Sequence, residues 1–205
     1  MDKLIATHKG YKIWQLSKES LIEFVSFVMK ENYRNENYPR HEFNKVYSEE
    51  LSNYNNSKIF VAKDNDNRII GAIRLMQWNK NDELPITRLF GLNPMQYIVT
   101  DRTNENIWHI GRFAIDSDCE KATSAEIFKI LIIYAIAPIC RYKNGIMFAE
   151  SDNSLLKMIT ELGIKAKALL NKGKDYLGSI AVPICIERDG MREFIGRNCS
   201  LALNI

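Results

Sequence analysis

The chain is 205 residues long and has almost no excess charge of either sign: its formal net charge is +3. Such a weak field excludes a dedicated nucleic-acid binder unless the basic residues cluster. The densest basic stretch, Lys165 to Lys174, spreads four lysines among apolar residues. It fits a solvated strand and turn, or a landing patch for an acidic partner or a phosphate. Cysteine is scarce, with four residues at 119, 140, 185 and 199. None forms a C-x-x-C pair and no His stands at ligand spacing to any of them, so no metal site is expected. Cys140 and Cys185 sit in apolar runs and read as buried thiols, which suits a reducing cytosol. Met1 to Leu4 lacks the charged-then-apolar pattern of a secretion signal. The longest apolar run, Ile127 to Cys140, is interrupted by Lys129 and is shorter than a bilayer span. We therefore expect a cytoplasmic protein with no transmembrane segment. Repeats and Gly/Pro-rich linkers are also missing, so residues 1–205 read as one domain.

What is present is an ordinary globular composition, 46% hydrophobic and 26% charged. A chain of this length can bury a sizeable core without disulfides or metals. The patterning predicts a strand over 3–16 interrupted at His8-Lys9-Gly10, then a capped amphipathic helix from Ser17 to about Glu31. A second helix follows over Glu42–Asn53. A hairpin covers residues 58–78, turning at Asp64 to Asn67. Residues 79–106 read as a long loop with an apolar piece at Ile86–Leu92. Beyond it come a strand at Ile107–Ile115, a long apolar helix at Ala125–Arg141, a strand at Gly145–Ala149 and a short helix at Asn153–Leu162. Strands at Ile164–Leu170 and Tyr176–Ile186 and a weakly helical tail close the chain. A strand-helix-strand unit implies a right-handed parallel crossover. The expected fold class is therefore α/β (α+β), a mixed sheet of about six to seven strands with helices on both faces.

Two pieces of sequence carry a resemblance to the GNAT acyltransferase superfamily. Gly71-Ala72-Ile73-Arg74-Leu75 resembles a Gly-x-x-Arg-Leu strand found in its branch of acyl-homoserine-lactone (autoinducer) synthases and long-chain N-acyl amino acid synthases. Trp108-His109-Ile110-Gly111-Arg112-Phe113-Ala114-Ile115-Asp116 resembles that branch's Trp-Glu-x-x-Arg-Phe-x-x-Asp strand. Three departures stand out. His109 takes the place of the branch's Glu. Cys119-Glu120-Lys121-Ala122-Thr123-Ser124 lacks the glycines of the usual acetyl-CoA loop. Ile159 stands where many acetyltransferases carry Tyr. The last two point away from simple acetyl-CoA chemistry. The resemblance implies N-acyl transfer from a thioester, acyl-CoA or acyl-phosphopantetheine on an acyl carrier protein, to a small amino-acid-like amine. No tightly bound cofactor is implied. The alternatives are an acetyl-CoA N-acetyltransferase and a catalytically inactive acyl- or pantetheine-binding protein of the same fold.

Such transfer needs a neutral amine, a polarised carbonyl, close positioning and a departing thiolate. The fold implied by the resemblance would bind the thioester and pantetheine through backbone N–H groups of Phe113, Ala114 and Ile115. Lys121, Ala122, Thr123 and Ser124 open the long helix, where an anion meets free N–H groups, unless Thr123 or Ser124 simply caps it. His109 titrates near neutrality and is a candidate base. Strict strand alternation puts His109, Gly111 and Phe113 on one face and Arg112 on the other unless a bulge intervenes. Arg74 and Arg112 lie in apolar strands. Each needs a carboxylate partner such as Glu150 or Asp101, or orients an acidic acceptor or catalytic acid. Glu150, ending an apolar strand, is a second candidate base. The apolar residues of 125–140 and 146–148 form core, or in part line an acyl tunnel. The tyrosine-rich segment 33–54 covers an acceptor site or is ordinary surface.

Overall fold

In the computed structural model, residues 1–33, 38–97 and 106–201 are described. The sheet is one continuous path ordered β1(Lys3–His8), β2(Tyr11–Gln15), β3(Ser57–Asp64), β4(Ile69–Gln77), β5(Ile107–Ile115), β6(Ile146–Ser151), β9(Ser179–Glu187) and β7(Lys167–Ala168), with β8(Lys174–Tyr176) also on β9. One predicted strand divides and a short further strand, β8, forms mostly from residues expected to be turn, which raises the expected six or seven strands to nine. The first breaks into a hairpin at Gly10, whose φ of 92° suits glycine. The last forms a second hairpin, β8 to β9, across a two-residue turn. Leu177 and Gly178 both have positive φ there, as a tight primed turn requires.

Helices α1(Leu21–Tyr33), α2(Arg40–Asn53) and α3(Pro85–Phe90) pack on one face, and α4(Lys121–Cys140), α5(Asn153–Glu161) and α6(Arg188–Asn198) on the other. Helix α3 falls in the stretch expected to be loop. Pro85 starts it and Gly91, at φ 71°, stops it. Helix α4 is long and apolar enough to cross a membrane, yet 61% of its most apolar window is buried inside the fold. It is the core helix, packing Ile127, Leu131 and Ile136 onto the sheet. Gly71 permits that approach, because a Cβ there would sit 2.6 Å from the Ile127 methyl.

The β5–β6 junction shapes the site. These strands are parallel and pair only from Ile107–Ile146 to His109–Phe148. Beyond that point β5 runs on to Ile115 and β6 to Ser151 without pairing to each other, so the sheet splays.

Candidate active site

A bulge in β5 assembles the polar residues. Ala72 faces Ala114 and Arg74 faces Gly111, so Ile73 alone spans Arg112 and Phe113. Arg112 occupies the left-handed region at φ 55°. Such a conformation costs a non-glycine residue about 1–2 kcal/mol. Its effect is to reset the alternation. Phe113 turns to the α4 face and meets Phe128 edge-on, while Arg112 joins His109 on the opposite face. The strict alternation that put Phe113 with His109 and Arg112 on the far side is thus corrected by one extra residue.

There Arg74, His109, Arg112 and Glu150 form one buried network with two residues the sequence reading did not select, Glu49 and Glu50 of α2. Arg74 donates from Nη1 to Glu50 Oε1 at 2.9 Å. Arg112 donates from Nε to the same oxygen at 2.8 Å and from Nη2 to Glu49 at 2.7 Å. The partner of both arginines is therefore Glu50 rather than Glu150, and Asp101 lies outside the described residues. Burial alone would raise the Glu50 carboxyl, but the two guanidiniums outweigh it and hold it below the usual carboxylate range. Glu50 follows Val46 by one helical turn on the buried side of α2, the signal by which it could have been found. Tyr176 also joins, its hydroxyl accepting from Arg112 Nη1 at 2.6 Å. It too was missed, because the two-residue turn before β9 is what brings it in.

Glu150 belongs instead to His109. Arg74 Nη2 lies 2.9 Å from His109 Nδ1, and Nε2 lies 2.9 Å from Glu150 Oε2. A guanidinium only donates, so Nδ1 accepts and Nε2 keeps its proton for Glu150. Burial pushes the His109 imidazole below its ordinary value despite the pull of Glu150. The ring is neutral and both of its nitrogens are engaged. The other carboxylate oxygen, Glu150 Oε1, is buried and has no partner among the described residues. Gly111 leaves room for this arrangement: a Cβ would come within 2.8 Å of the His109 ring and 3.3 Å of the Arg74 guanidinium.

A cavity of about 110 Å³ occupies the splay and runs through the sheet. One end holds Arg74, His109, Arg112, Glu150 and Tyr176. The other is apolar, walled by residues including Ile132 and Ile136 of α4, Met147 and Ala149 of β6, and Ile184 of β9. Phe113 lines it, whereas Ala114, Ile115, Lys121, Ala122, Thr123 and Ser124 do not. Neither Thr123 nor Ser124 caps α4. The helix begins earlier than expected, at Lys121, its N-cap Glu120 makes no side-chain cap, and the Ser124 hydroxyl donates to the Cys119 carbonyl at 3.3 Å. Lys165, Lys167, Lys172 and Lys174 are exposed. No group of metal-ligating side chains occurs among the described residues.

A mixed sheet split at one parallel junction, with a long core helix behind it, is the fold of the GNAT acyltransferases. The chain belongs to the family of the N-acyl amino acid synthase FeeM, whose model matches residues 25–153, and is an N-acyltransferase. Among solved structures it is similar to FeeM from uncultured soil microbes, at 12% identity and TM-score 0.62 over 89% of this chain and 93% of that one. The acyl-homoserine-lactone synthase LasI aligns at 12% identity and TM-score 0.52, over 91% and 94%. A GNAT-family acetyltransferase from Staphylococcus aureus Mu50 aligns at 11% and 0.53, over 87% and 99%. At these identities the structural likeness is one of fold. No curated protein matches the chain.

Proposed function

We propose that residues 1–205 form one cytoplasmic N-acyltransferase domain that moves a medium or long acyl chain from a phosphopantetheine thioester, on a carrier protein or CoA, to a small amino-acid-like amine. The observation that carries this is the cavity joining an apolar tunnel to the unpartnered Oε1 of Glu150. The cytoplasmic location rests on the free thiols of Cys119, Cys140 and Cys185. The donor's arm enters along α4. From Lys121 to Ile132 is about 16 Å at 1.5 Å per residue. The uncapped first turn, with Lys121 and Thr123, offers donors to a phosphate at one end of that path, while both donors of Ser124 are spent on Cys119 and Glu120. Backbone N–H groups of Phe113 and Ile115, turned to the open side of the splay, hold the thioester, whereas those of Ala114 and Asp116 alternate back toward β4.

Glu150 is the base. Its Oε1 takes a proton from the attacking nitrogen as the C–N bond forms and the C–S bond breaks, and the departing thiolate is protonated from solvent. His109, Arg74 and Glu50 are positioning residues. The histidine pins Oε2 and leaves Oε1 to face the amine, while Arg74 and Arg112 fix the histidine and α2. The test is thiol release from acetyl-CoA and from a C12–C16 acyl carrier protein against an amino-acid panel, with the product identified by mass spectrometry. We expect an N-acyl amino acid from the long-chain donor, and Glu150→Gln to lower kcat by about 10²-fold or more without loss of fold. Turnover of acetyl-CoA alone would overturn the donor assignment. Unchanged kcat in Glu150→Gln would overturn the base.

A further inference from the structure

A second cleft, of about 360 Å³, lies at the other end of the sheet from the splay. It is walled by the turn after α2, the start of β3, the end of β4, the start of β5 and the C-terminus of α4. Helix α4 is 20 residues long, which places its C-terminus about 30 Å from the end proposed to receive the donor phosphate. The cleft is therefore not on the acyl-donor path.

Its chemistry is unlike that of the first cavity. No Asp or Glu lines it, whereas Lys58 and Arg141 do, and both are exposed. Neither makes an ion pair among the described residues, although the molecule has carboxylates enough to pair many other cations. Two buried polar atoms on its lining residues lack any partner among the described residues: the Trp108 indole N–H and the Ser57 hydroxyl. Leaving such a group unmet costs about 1–3 kcal/mol. The indole is a pure donor and requires an acceptor. The apolar wall is aromatic. Trp108 and the half-exposed Tyr142 stand with ring centroids 6.0 Å apart, and Trp78 flanks them. Asp82 and Glu83 lie on the neighbouring side of Trp78. Asp82 is already engaged there: its carboxylate accepts from Asn79 and its carbonyl from the Trp78 indole.

We propose that this cleft is a second binding site, for a small ligand that joins a planar ring to an anionic group. The ring stacks on Tyr142 and Trp108, and the anion meets Lys58 and Arg141. A nucleoside monophosphate and an aryl carboxylate share that chemistry. Trp78 and Trp108 are two of the three tryptophans in the chain, so occupancy is read directly as a change in intrinsic fluorescence, with calorimetry giving Kd.

The experiment titrates the intact protein with AMP, adenosine, phenylacetate and inorganic phosphate. It repeats each titration on Arg141→Ala and Lys58→Ala, whose exposed side chains leave the fold and acyl transfer unchanged. Binding of AMP, about tenfold or more weakened in each variant and for adenosine, is expected and identifies the nucleotide source. Binding of phenylacetate with the same dependence on both cations, and none of AMP, supports the site and identifies an organic acid. Inorganic phosphate binding as tightly as AMP would overturn the stacking role. No binding by any probe, or binding indifferent to both substitutions, would overturn the site.

Discussion

At the residue scale, one histidine separates this site from an ordinary carboxylate pair. Held between an arginine that only donates and a carboxylate that only accepts, His109 has a single consistent tautomer, and it is neutral. Its proton affinity is lower folded than unfolded, so the unfolded chain binds more protons below the ordinary value of 6.5. Stability from this group is full above that pH and is lost as pH falls toward the depressed folded value. The expected outcome is a thermal midpoint that declines as pH drops below about 6.5, with that part of the decline absent in His109→Gln, measured by calorimetry across pH 5–8. Glu50, depressed beneath its ordinary 4.5, adds a second loss at still lower pH. Glu50→Gln leaves Arg74 and Arg112 short of their buried counter-ion. It is expected to cost about 3–5 kcal/mol in denaturant unfolding, as broken buried pairs do.

At the element scale, the bulge and the glycines beside it turn a strand into a site. A methyl group at 111 points at a ring that cannot move without leaving both of its partners. Gly111→Ala is therefore expected to cut turnover at least about tenfold while costing only the 1–3 kcal/mol of ordinary overpacking. Kinetics and thermal melting on one sample separate the two effects. Gly71→Ala is expected to do the reverse, lowering stability by forcing α4 off the sheet while the network around His109 stays intact. The sequence made much of this readable. The β3–β4 hairpin announces itself by its turn and its β-rich flanks. Arg74, His109, Arg112 and Glu150 stand out as polar residues in apolar strands, and the structure brings them together. Glu49 and Tyr176 were not legible, because partnership across 63 to 64 residues leaves no local pattern, and Glu50 showed only in its place one turn after Val46. Helix α3 was hidden by its brevity, six residues between Pro85 and the Gly91 stop.

At the scale of the whole molecule, the sheet is two sub-sheets joined at one end, and the function proposed above assigns substrate selection to the gap between them. Ala149 lines the apolar end of the cavity. Ala149→Phe is expected to shift the preferred donor toward shorter chains, each excluded methylene forfeiting about 0.8 kcal/mol of burial. Competition between C8, C12 and C16 donors, followed by mass spectrometry, reads the shift. An unchanged product profile would remove the tunnel assignment.

The same gap carries a signature in time. Strand β4 has a neighbour on both sides along its length, whereas β5 beyond His109 has one only on the β4 side. Deuterium should therefore enter β4 amides slowly throughout. Along residues 110–115 it should enter in alternation, slow where an N–H is tied to β4 and fast where it points into the gap. A thioester lying in the gap would slow the fast half and leave the slow half as it was, so a single peptide carries both the measurement and its internal clock.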